Sequence, residues 1–269
     1  MTDNHTPSSV VVGIDGSHMA IWAAQWAIDE AISRDVPLRL VYVIKATHPS
    51  AEAYDEEVHH AKASLHAAQA AVEAIGKPVK VETAIVSGPP GPALVAESRD
   101  AGLISVGSVG IGRYARAILG STATELAEKA HCPVAIIRPH DDEAPHEINW
   151  IVVAVNRDPD HQVVIDHAMQ EAQLRHAPVL ALGERQHLAE APRDYLDREV
   201  EKWKRRYPDV HLYPIANRAD VAHFLKHHDE RILLAVIGGS EAGELADIVG
   251  PYGHPVFHHA VSSVLVVRR

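Results

Sequence analysis

Glycines and hydroxyl side chains near the middle of the chain have the composition of a phosphate-binding loop. Gly107 and Gly110 follow the mainly apolar run Leu103–Val106, and nine residues after Gly110 the chain reads Gly120-Ser121-Thr122. Glycine lets backbone approach a ligand closely. The start of a helix offers unpaired N–H groups and a positive dipole end. Such a cradle suits phosphate, so a nucleotide is the first ligand to consider.

A second group with useful chemistry is Asp15, which follows the apolar run Val10–Ile14 and precedes Gly16. A carboxylate accepts hydrogen bonds from an adenine amine or a ribose hydroxyl. Phosphates would repel it, so it belongs at the other end of a nucleotide. The alternative is that Asp15 only forms a strand-end turn with Gly16.

The elements that must position these residues alternate between strand and helix in the first half of the chain. Strands are predicted at Val10–Asp15, Leu38–Ile44, Val79–Ile85, Leu103–Gly107 and Pro133–Arg138, and helices at Ala20–Arg34, Glu56–Ile75, Pro92–Ala101 and Thr122–Ala130. Near-continuous Val, Ile and Leu predict strands buried on both faces of a parallel sheet. Gly76 and Gly102 are expected to end helices. The alternation predicts a doubly wound α/β domain.

The pattern stops in a polar segment with two prolines and then restarts. We predict a first domain over residues 1–139, a linker over 140–148 and a second domain over 149–269. The second half predicts strands at Trp150–Asn156, Val179–Leu182, His211–Ile215, Ile232–Gly238 and Ser263–Val267, and helices at His161–His176, Arg193–Tyr207 and Ala219–His228. Ala130–Arg138 recurs as Ala260–Arg268, and Gly120 matches Gly250. The chain is most simply two copies of one domain.

Three motifs resemble the universal stress protein family. They are Gly13-Ile14-Asp15-Gly16-Ser17, the glycine spacing from Gly107 to Ser121, and His131-Cys132-Pro133-Val134. The duplication resembles the two-domain members of the family. The resemblance implies two five-stranded parallel sheets of order 3-2-1-4-5, an adenine nucleotide alpha hydrolase-like fold. It also implies ATP at the carboxyl ends of strands one and four, the switch point of such a sheet.

The resemblance also implies roles for individual residues. The expected nucleotide-binding residues are Gly13, Asp15, Val41, Gly107, Gly110, Arg113, Gly120, Ser121 and Thr122. Asp15 would contact the adenosine, and the backbone of Val41 the adenine. Gly107 and Gly110 would leave room for ribose and phosphate, while the last three residues hold phosphate oxygens. Arg113 either covers the phosphates or faces solvent, and Mg²⁺ or Mn²⁺ often bridges the phosphates in the family.

Two departures from the family pattern qualify these roles. Position 123 is Ala where some members carry a hydroxyl, so AMP and cyclic AMP stay as alternatives to ATP. In the second copy Asn156 replaces the aspartate, Pro251-Tyr252 follows Gly250, and Glu241 and Glu244 add negative charge. We expect this second site to be degenerate and empty.

Composition argues against nucleic-acid-binding and membrane-spanning classes of protein. The net charge of −11 argues against a nucleic-acid partner, and no apolar run reaches the length of a membrane helix. The polar start and the single cysteine favour the cytoplasm. The 20 histidines raise the alternative of metal binding, notably where His223 and His227 have helical spacing. No metal site and no catalytic residue is predicted.

The predicted function is that of an ATP-binding regulatory protein of the stress response, in which ATP orders residues 108–122 and alters the surface shown to partners. The two domains are expected to form an internal pseudo-dimer through their fifth strands, and a homodimer is a further expectation. One alternative is a weak ATPase or nucleotidyl-transfer enzyme, with His131 or Glu125 as base. The other is an interaction module without a ligand.

Overall fold

The computed structural model describes residues 8–110, 119–138, 148–156, 161–184, 192–217, 220–228, 231–249 and 262–268. The chain divides into two compact units, Met1–Pro139 with Arg268–Arg269, and His140–Val267. Of the predicted linker 140–148, the structure describes residue 148 alone. The domain boundaries of the sequence analysis therefore stay predictions.

The first unit is a five-stranded parallel sheet flanked by helices. Its elements are β1 (Ser9–Ile14), α1 (His18–Ser33), β2 (Leu38–Ile44), α2 (Ala51–Glu73), β3 (Val81–Ser87), α3 (Pro90–Glu97), β4 (Ala101–Gly107), α4 (Ser121–Lys129) and β5 (Val134–Ile137). The strands lie in the order β3-β2-β1-β4-β5, and every neighbouring pair is parallel. The predicted order 3-2-1-4-5 is confirmed.

Serine caps determine where the first two helices begin. The Ser17 side chain accepts a hydrogen bond from the N–H of Ala20 at the start of α1. The Ser50 side chain accepts one from the N–H of Ala53, so α2 begins at Ala51 rather than at the predicted Glu56. Each cap satisfies an N–H group that the helix itself leaves unpaired.

One of the two glycines that were expected to end helices does so. Gly76 has a φ of 74° just beyond α2, as expected of a residue that ends a helix. The expectation for Gly102 is wrong, because it lies inside β4. Ser9 pairs with Ala101 and Val10 with Leu103, which makes Gly102 the extra residue of a bulge.

The second unit repeats this architecture. Its elements are β6 (Trp150–Val155), α5 (His161–Arg175), β7 (Val179–Glu184), α6 (Pro192–Arg206), β8 (Leu212–Asn217), α7 (Val221–His227), β9 (Ile232–Gly238), a 3₁₀ turn (Gly239–Glu244), α8 (Leu245–Val249) and β10 (Ser263–Val267). Its parallel strands lie in the order β8-β7-β6-β9-β10. This is again the order 3-2-1-4-5, so the predicted fold class holds for both copies.

Local irregularities recur at equivalent positions of the two units. The pairing of β6 with β9 slips between Trp150 and Ile151, as that of β1 with β4 slips at its first residue. After the first helix of each unit one non-glycine residue takes a left-handed conformation, Asp35 at φ 53° and His176 at φ 51°. Shared irregularities of this kind support a common origin for the two copies.

The core of each unit lies on both faces of its central strands. Residues Val10 to Val12 of β1 and Ile151 to Val153 of β6 are each at most 1% exposed, and successive side chains point to opposite faces. Continuous apolar strands of a covered parallel sheet show this burial. No helix in the described part of the chain has both the length and the apolar character needed to cross a membrane.

Candidate functional site

A cavity of about 820 Å³ opens at the carboxyl ends of β1, β2 and β4 in the first unit. The amino-terminal turns of α1, α3 and α4 complete its walls. Eight of the nine predicted site residues line it: Gly13, Asp15, Val41, Gly107, Gly110, Gly120, Ser121 and Thr122. The ninth, Arg113, lies outside the described residues. The cavity is where ligands bind to open parallel sheets.

The turn after β1 orients the carboxylate of Asp15. One carboxylate oxygen accepts a hydrogen bond of 2.9 Å from the N–H of Ser17, and Gly16 between them has a φ of 87°. Glycine takes this left-handed conformation without strain. The turn role considered for Asp15 is therefore real, and the same side chain also lines the cavity.

Two glycines occupy positions where a larger residue would not fit. A Cβ on Gly107 would lie 2.6 Å from Cβ of Met19. Met19 belongs to α1, which packs against β4. A Cβ on Gly110 would overlap the second carboxylate oxygen of Asp15. The loop after β4 therefore passes directly beside the turn after β1, which is possible because these glycines have no side chain.

The amino terminus of α4 faces the cavity without a side-chain cap. Gly120 is the N-cap residue, and its own N–H donates to the carbonyl of Ser108 at 2.8 Å. Ser121, Thr122 and Ala123, the first three residues of α4, all line the cavity. Their N–H groups precede the first intrahelical hydrogen bond, and the helix dipole is positive there. This wall is suited to an anion.

Tyr42 and His60 form a part of the cavity wall that the sequence analysis missed. Tyr42 belongs to β2 and His60 to α2, and their rings meet edge to face at 6.0 Å between centroids. Burial and the negative charges of Glu57 and Asp15 raise the pKa of Tyr42, so its hydroxyl stays protonated. Tyr42 could have been found as the neighbour of Val41. Nothing in the sequence singles out His60 from the other histidines.

The alternatives that involved other residues find less support in the geometry. Neither Glu125 nor His131 lines the cavity; Glu125 forms an ion pair of 3.0 Å with Lys129. In the metal hypothesis, His227 bonds through Nδ1 to the backbone carbonyl of His223. Across the described ranges, no three His, Cys, Asp or Glu side chains converge on a point that could hold a metal ion.

The equivalent region of the second unit is built differently. Asn156 follows β6 in place of the aspartate. The carboxylate of Glu241 accepts a hydrogen bond of 2.8 Å from the N–H of Gly238 at the end of β9. Burial and the nearby Asp220 and Asp247 raise the pKa of Glu244. The negative side chain of Glu241 thus occupies the end of β9, while Gly250 lies outside the described residues.

The fold and the cavity define a doubly wound α/β protein with a ligand site at the switch point of its first sheet. A family model described as the universal stress protein family matches residues 8–138. The universal stress protein Rv2624c of Mycobacterium tuberculosis is 61% identical over 265 residues, which span 98% of this chain and 97% of that protein. The chain belongs to the universal stress protein family.

Two further comparisons agree with this assignment. The universal stress protein Rv2028c of Mycobacterium tuberculosis is 37% identical over 274 residues, covering 99% of this chain and 98% of that protein. The crystal structure of a universal stress protein from Archaeoglobus fulgidus covers 98% of this chain and 97% of its own, with a TM-score of 0.69 at 17% identity. At that identity the likeness is one of fold.

Proposed function

We propose that the first unit binds ATP and that the protein acts as a nucleotide-gated regulatory protein of the stress response. The observation that carries this proposal is a single cavity that collects the uncapped start of α4, the glycines after β4 and the carboxylate of Asp15. The first two features suit phosphate and the third suits a nucleoside. Only a ligand with both parts uses the whole cavity.

The phosphates would lie against α4. The N–H groups of Ser121 and Thr122 would donate to phosphate oxygens, and their hydroxyls can donate as well. Gly107 and Gly110, whose missing side chains leave room for Met19 and Asp15, also line the cavity with backbone groups. Among the described lining residues there is no lysine or arginine. Backbone groups and the helix dipole would therefore supply most of the attraction in this part of the site.

Asp15 would mark the start of the nucleoside portion. Its turn with Ser17 holds the carboxylate beside Gly110, where it can accept a hydrogen bond from a ribose hydroxyl. A phosphate placed against the same carboxylate would be repelled. In this arrangement the ligand would lie with its phosphates at α4 and its base toward Val41 in β2.

A divalent cation fits this arrangement. Mg²⁺ prefers oxygen ligands, is bound largely by substrate phosphates and keeps several waters. The hydroxyls of Ser121 and Thr122 lie in the same wall of the cavity and have the required chemistry. We propose that Mg²⁺ or Mn²⁺ accompanies ATP and neutralises part of its charge, while the protein contributes at most one or two ligands.

The ligand can be identified by mass analysis of the small molecules that purify with the protein. We expect ATP at about one per chain, because only the first copy has both the strand-end aspartate and the glycine and hydroxyl spacing in its sequence. Titration with ATP, AMP and cyclic AMP separates these ligands. If none copurifies and none changes the melting temperature, the protein is an interaction module and the proposal is wrong.

Asp15→Asn tests the role of the carboxylate. Asparagine can keep the turn, so the fold should survive, while loss of a charged hydrogen bond weakens ATP binding by about tenfold. Asp35→Asn is the matched control, because Asp35 is exposed and its left-handed conformation suits asparagine equally well. Equal affinities in the two variants would exclude a role for Asp15.

Gating is tested by hydrogen exchange with and without ATP. Binding should protect the amides of residues 121–123 at the start of α4 and leave those of α8 unchanged. Of the segment 108–122, residues 111–118 lie outside the described residues.

Multiple-turnover release of phosphate that Asp15→Asn abolishes would instead favour the enzymatic alternative.

A further inference from the structure

His60 stands on the rim of the cavity at the end away from the glycine loop. It projects from α2, lines the cavity and meets the ring of Tyr42 at an interplanar angle of 82°. The residue is exposed. Its ring nitrogens have no hydrogen bond or ion pair with any residue that the structure describes. They are therefore available to a ligand.

The sheet order sets the distance between His60 and the phosphate wall. Tyr42 pairs with Ile14 across β2 and β1, and β1 in turn pairs with β4. Neighbouring strands are about 4.8 Å apart, so β2 lies about 10 Å from β4. A nucleotide with its phosphates at α4 extends its nucleoside over β1 toward β2, where His60 stands.

Tyr42 is a poorer candidate for contact with the nucleoside. Its hydroxyl stays protonated, because burial and the negative charges of Glu57 and Asp15 raise its pKa, and Tyr42 is less exposed than His60. Its ring instead supports the imidazole of His60 from the side. His60 is thus the more accessible of the two polar groups, and it offers two ring nitrogens to a ligand.

We propose that His60 is a specificity-determining residue, whose ring nitrogen forms a hydrogen bond with the nucleoside of the bound nucleotide. This inference rests on the proposed function and adds a residue that recognises the part of the ligand beyond the phosphates. A hydrogen bond of ordinary strength contributes about 1 kcal/mol, so its loss should weaken binding about fivefold.

The test compares ATP with inorganic tripolyphosphate by titration calorimetry. The variants are His60→Ala, His60→Phe, which keeps an aromatic ring without nitrogens, and the matched control His59→Ala. His59 is the adjacent exposed histidine and does not line the cavity. Both His60 variants should weaken ATP about fivefold relative to wild type and leave tripolyphosphate unchanged. His59→Ala should match wild type with both ligands.

Three results would overturn the inference while the proposed function stands. The first is wild-type affinity for ATP in His60→Ala. The second is full affinity in His60→Phe, which would make the residue an apolar wall. The third is equal weakening of ATP and tripolyphosphate, which would place His60 on the phosphates. Absence of ATP binding by the wild-type protein would overturn both proposals. If tripolyphosphate binds too weakly to measure, the ATP affinities decide.

Discussion

At the scale of single residues, the site depends on how little space separates Gly110 from Asp15. In Gly110→Ala the new methyl group would displace the carboxylate, which Ser17 holds from its other oxygen. A side-chain end can move at small cost to folding, so we expect nearly unchanged stability. ATP affinity should fall by about tenfold, which corresponds to 1.4 kcal/mol. Calorimetry and thermal melting measure the two quantities separately.

The control for this substitution is Gly243→Ala in the second unit. A Cβ at Gly243 has no atom within 4 Å, so this variant changes the same residue type without a collision. Its ATP affinity should equal that of wild type. A Gly110→Ala protein that binds ATP as well as this control would show that Asp15 can move without consequence.

Cys132 illustrates a residue whose environment suppresses its chemistry. The side chain is 5% exposed, and burial raises the pKa of its thiol to about 12. Because the thiolate is the nucleophile, the native protein should not react with a disulfide reagent at neutral pH. Denaturant should release one thiol per chain, since the sequence has a single cysteine. Rapid labelling of the native protein would contradict this assignment.

Glu57 connects the loop after β2 to α2. It forms an ion pair with His48 and accepts a hydrogen bond of 3.3 Å from the N–H of Lys45. Burial acts to raise its pKa, but these bonds and the positive charges of His48 and Lys45 outweigh burial and lower it. A lowered pKa means that the stabilisation is present above the ordinary value of about 4.3 and is lost as pH falls through the folded value.

The variant Glu57→Gln should therefore be less stable than wild type at pH 6, and this difference should vanish on acidification below pH ~4. Urea unfolding at a series of pH values measures the effect. Glu56→Gln is the matched control, because Glu56 is the exposed neighbour on the same helix. A constant difference between the Glu57 and Glu56 variants at all pH values would exclude this ion pair as the cause.

At the scale of elements, the first helix of each unit carries a buried carboxylate that forms an ion pair with an arginine four residues later. Glu30 of α1 is fully buried and pairs with Arg34 one turn later. Glu171 of α5 has a side chain 3% exposed and pairs with Arg175 at 2.8 Å. The same pairing of a buried glutamate with an arginine four residues later therefore recurs in both copies. A carboxylate stays charged in a buried environment of low polarity only when a cation is paired with it.

We predict that Arg34→Ala destabilises the protein by about 3 kcal/mol, because it removes the cation that faces a buried charge. Lys129→Ala provides the control, since it breaks the exposed pair with Glu125 at the same spacing on α4 of the same unit. That loss should stay under about 0.5 kcal/mol. Chemical denaturation measures the free energy of unfolding of the two variants. Similar losses of stability would mean that burial of Glu30 does not strengthen its pair with Arg34.

At the scale of the whole molecule, one fold occurs twice, and the two copies differ in the residues at the carboxyl ends of their strands. The Glu241 carboxylate already satisfies the N–H of Gly238 in the second unit, and negative charge there opposes phosphate. We therefore expect one ATP per chain by native mass spectrometry. Asp15→Asn should reduce this occupancy, and Glu241→Gln should leave it at one. Two ATP per wild-type chain would show that the second unit also binds ATP.

The internal pseudo-dimer, the homodimer and the cytoplasmic location stay predictions.

Most strands and most residues of the candidate site could be predicted from local sequence. Apolar runs identified the strands, because burial on both faces requires continuous apolar residues. The spacing from Gly107 to Ser121 and the position of Asp15 identified the residues that the cavity brings together. Errors arose where a local signal had two interpretations. Gly102 suits a helix end and a strand bulge equally well, and only the pairing of β1 with β4 distinguishes them.

The sequence by itself determined the element order, the duplication and the glycine loop, because caps, turns and apolar periodicity depend on neighbours in the chain. The tertiary structure decided which distant residues complete the site. His60 reaches the cavity because α2 packs beside β2 and β2 lies next to β1. Likewise, Glu241 bonds to Gly238 because of the 3₁₀ turn after β9. Such contacts depend on sheet order and packing, which no local pattern encodes.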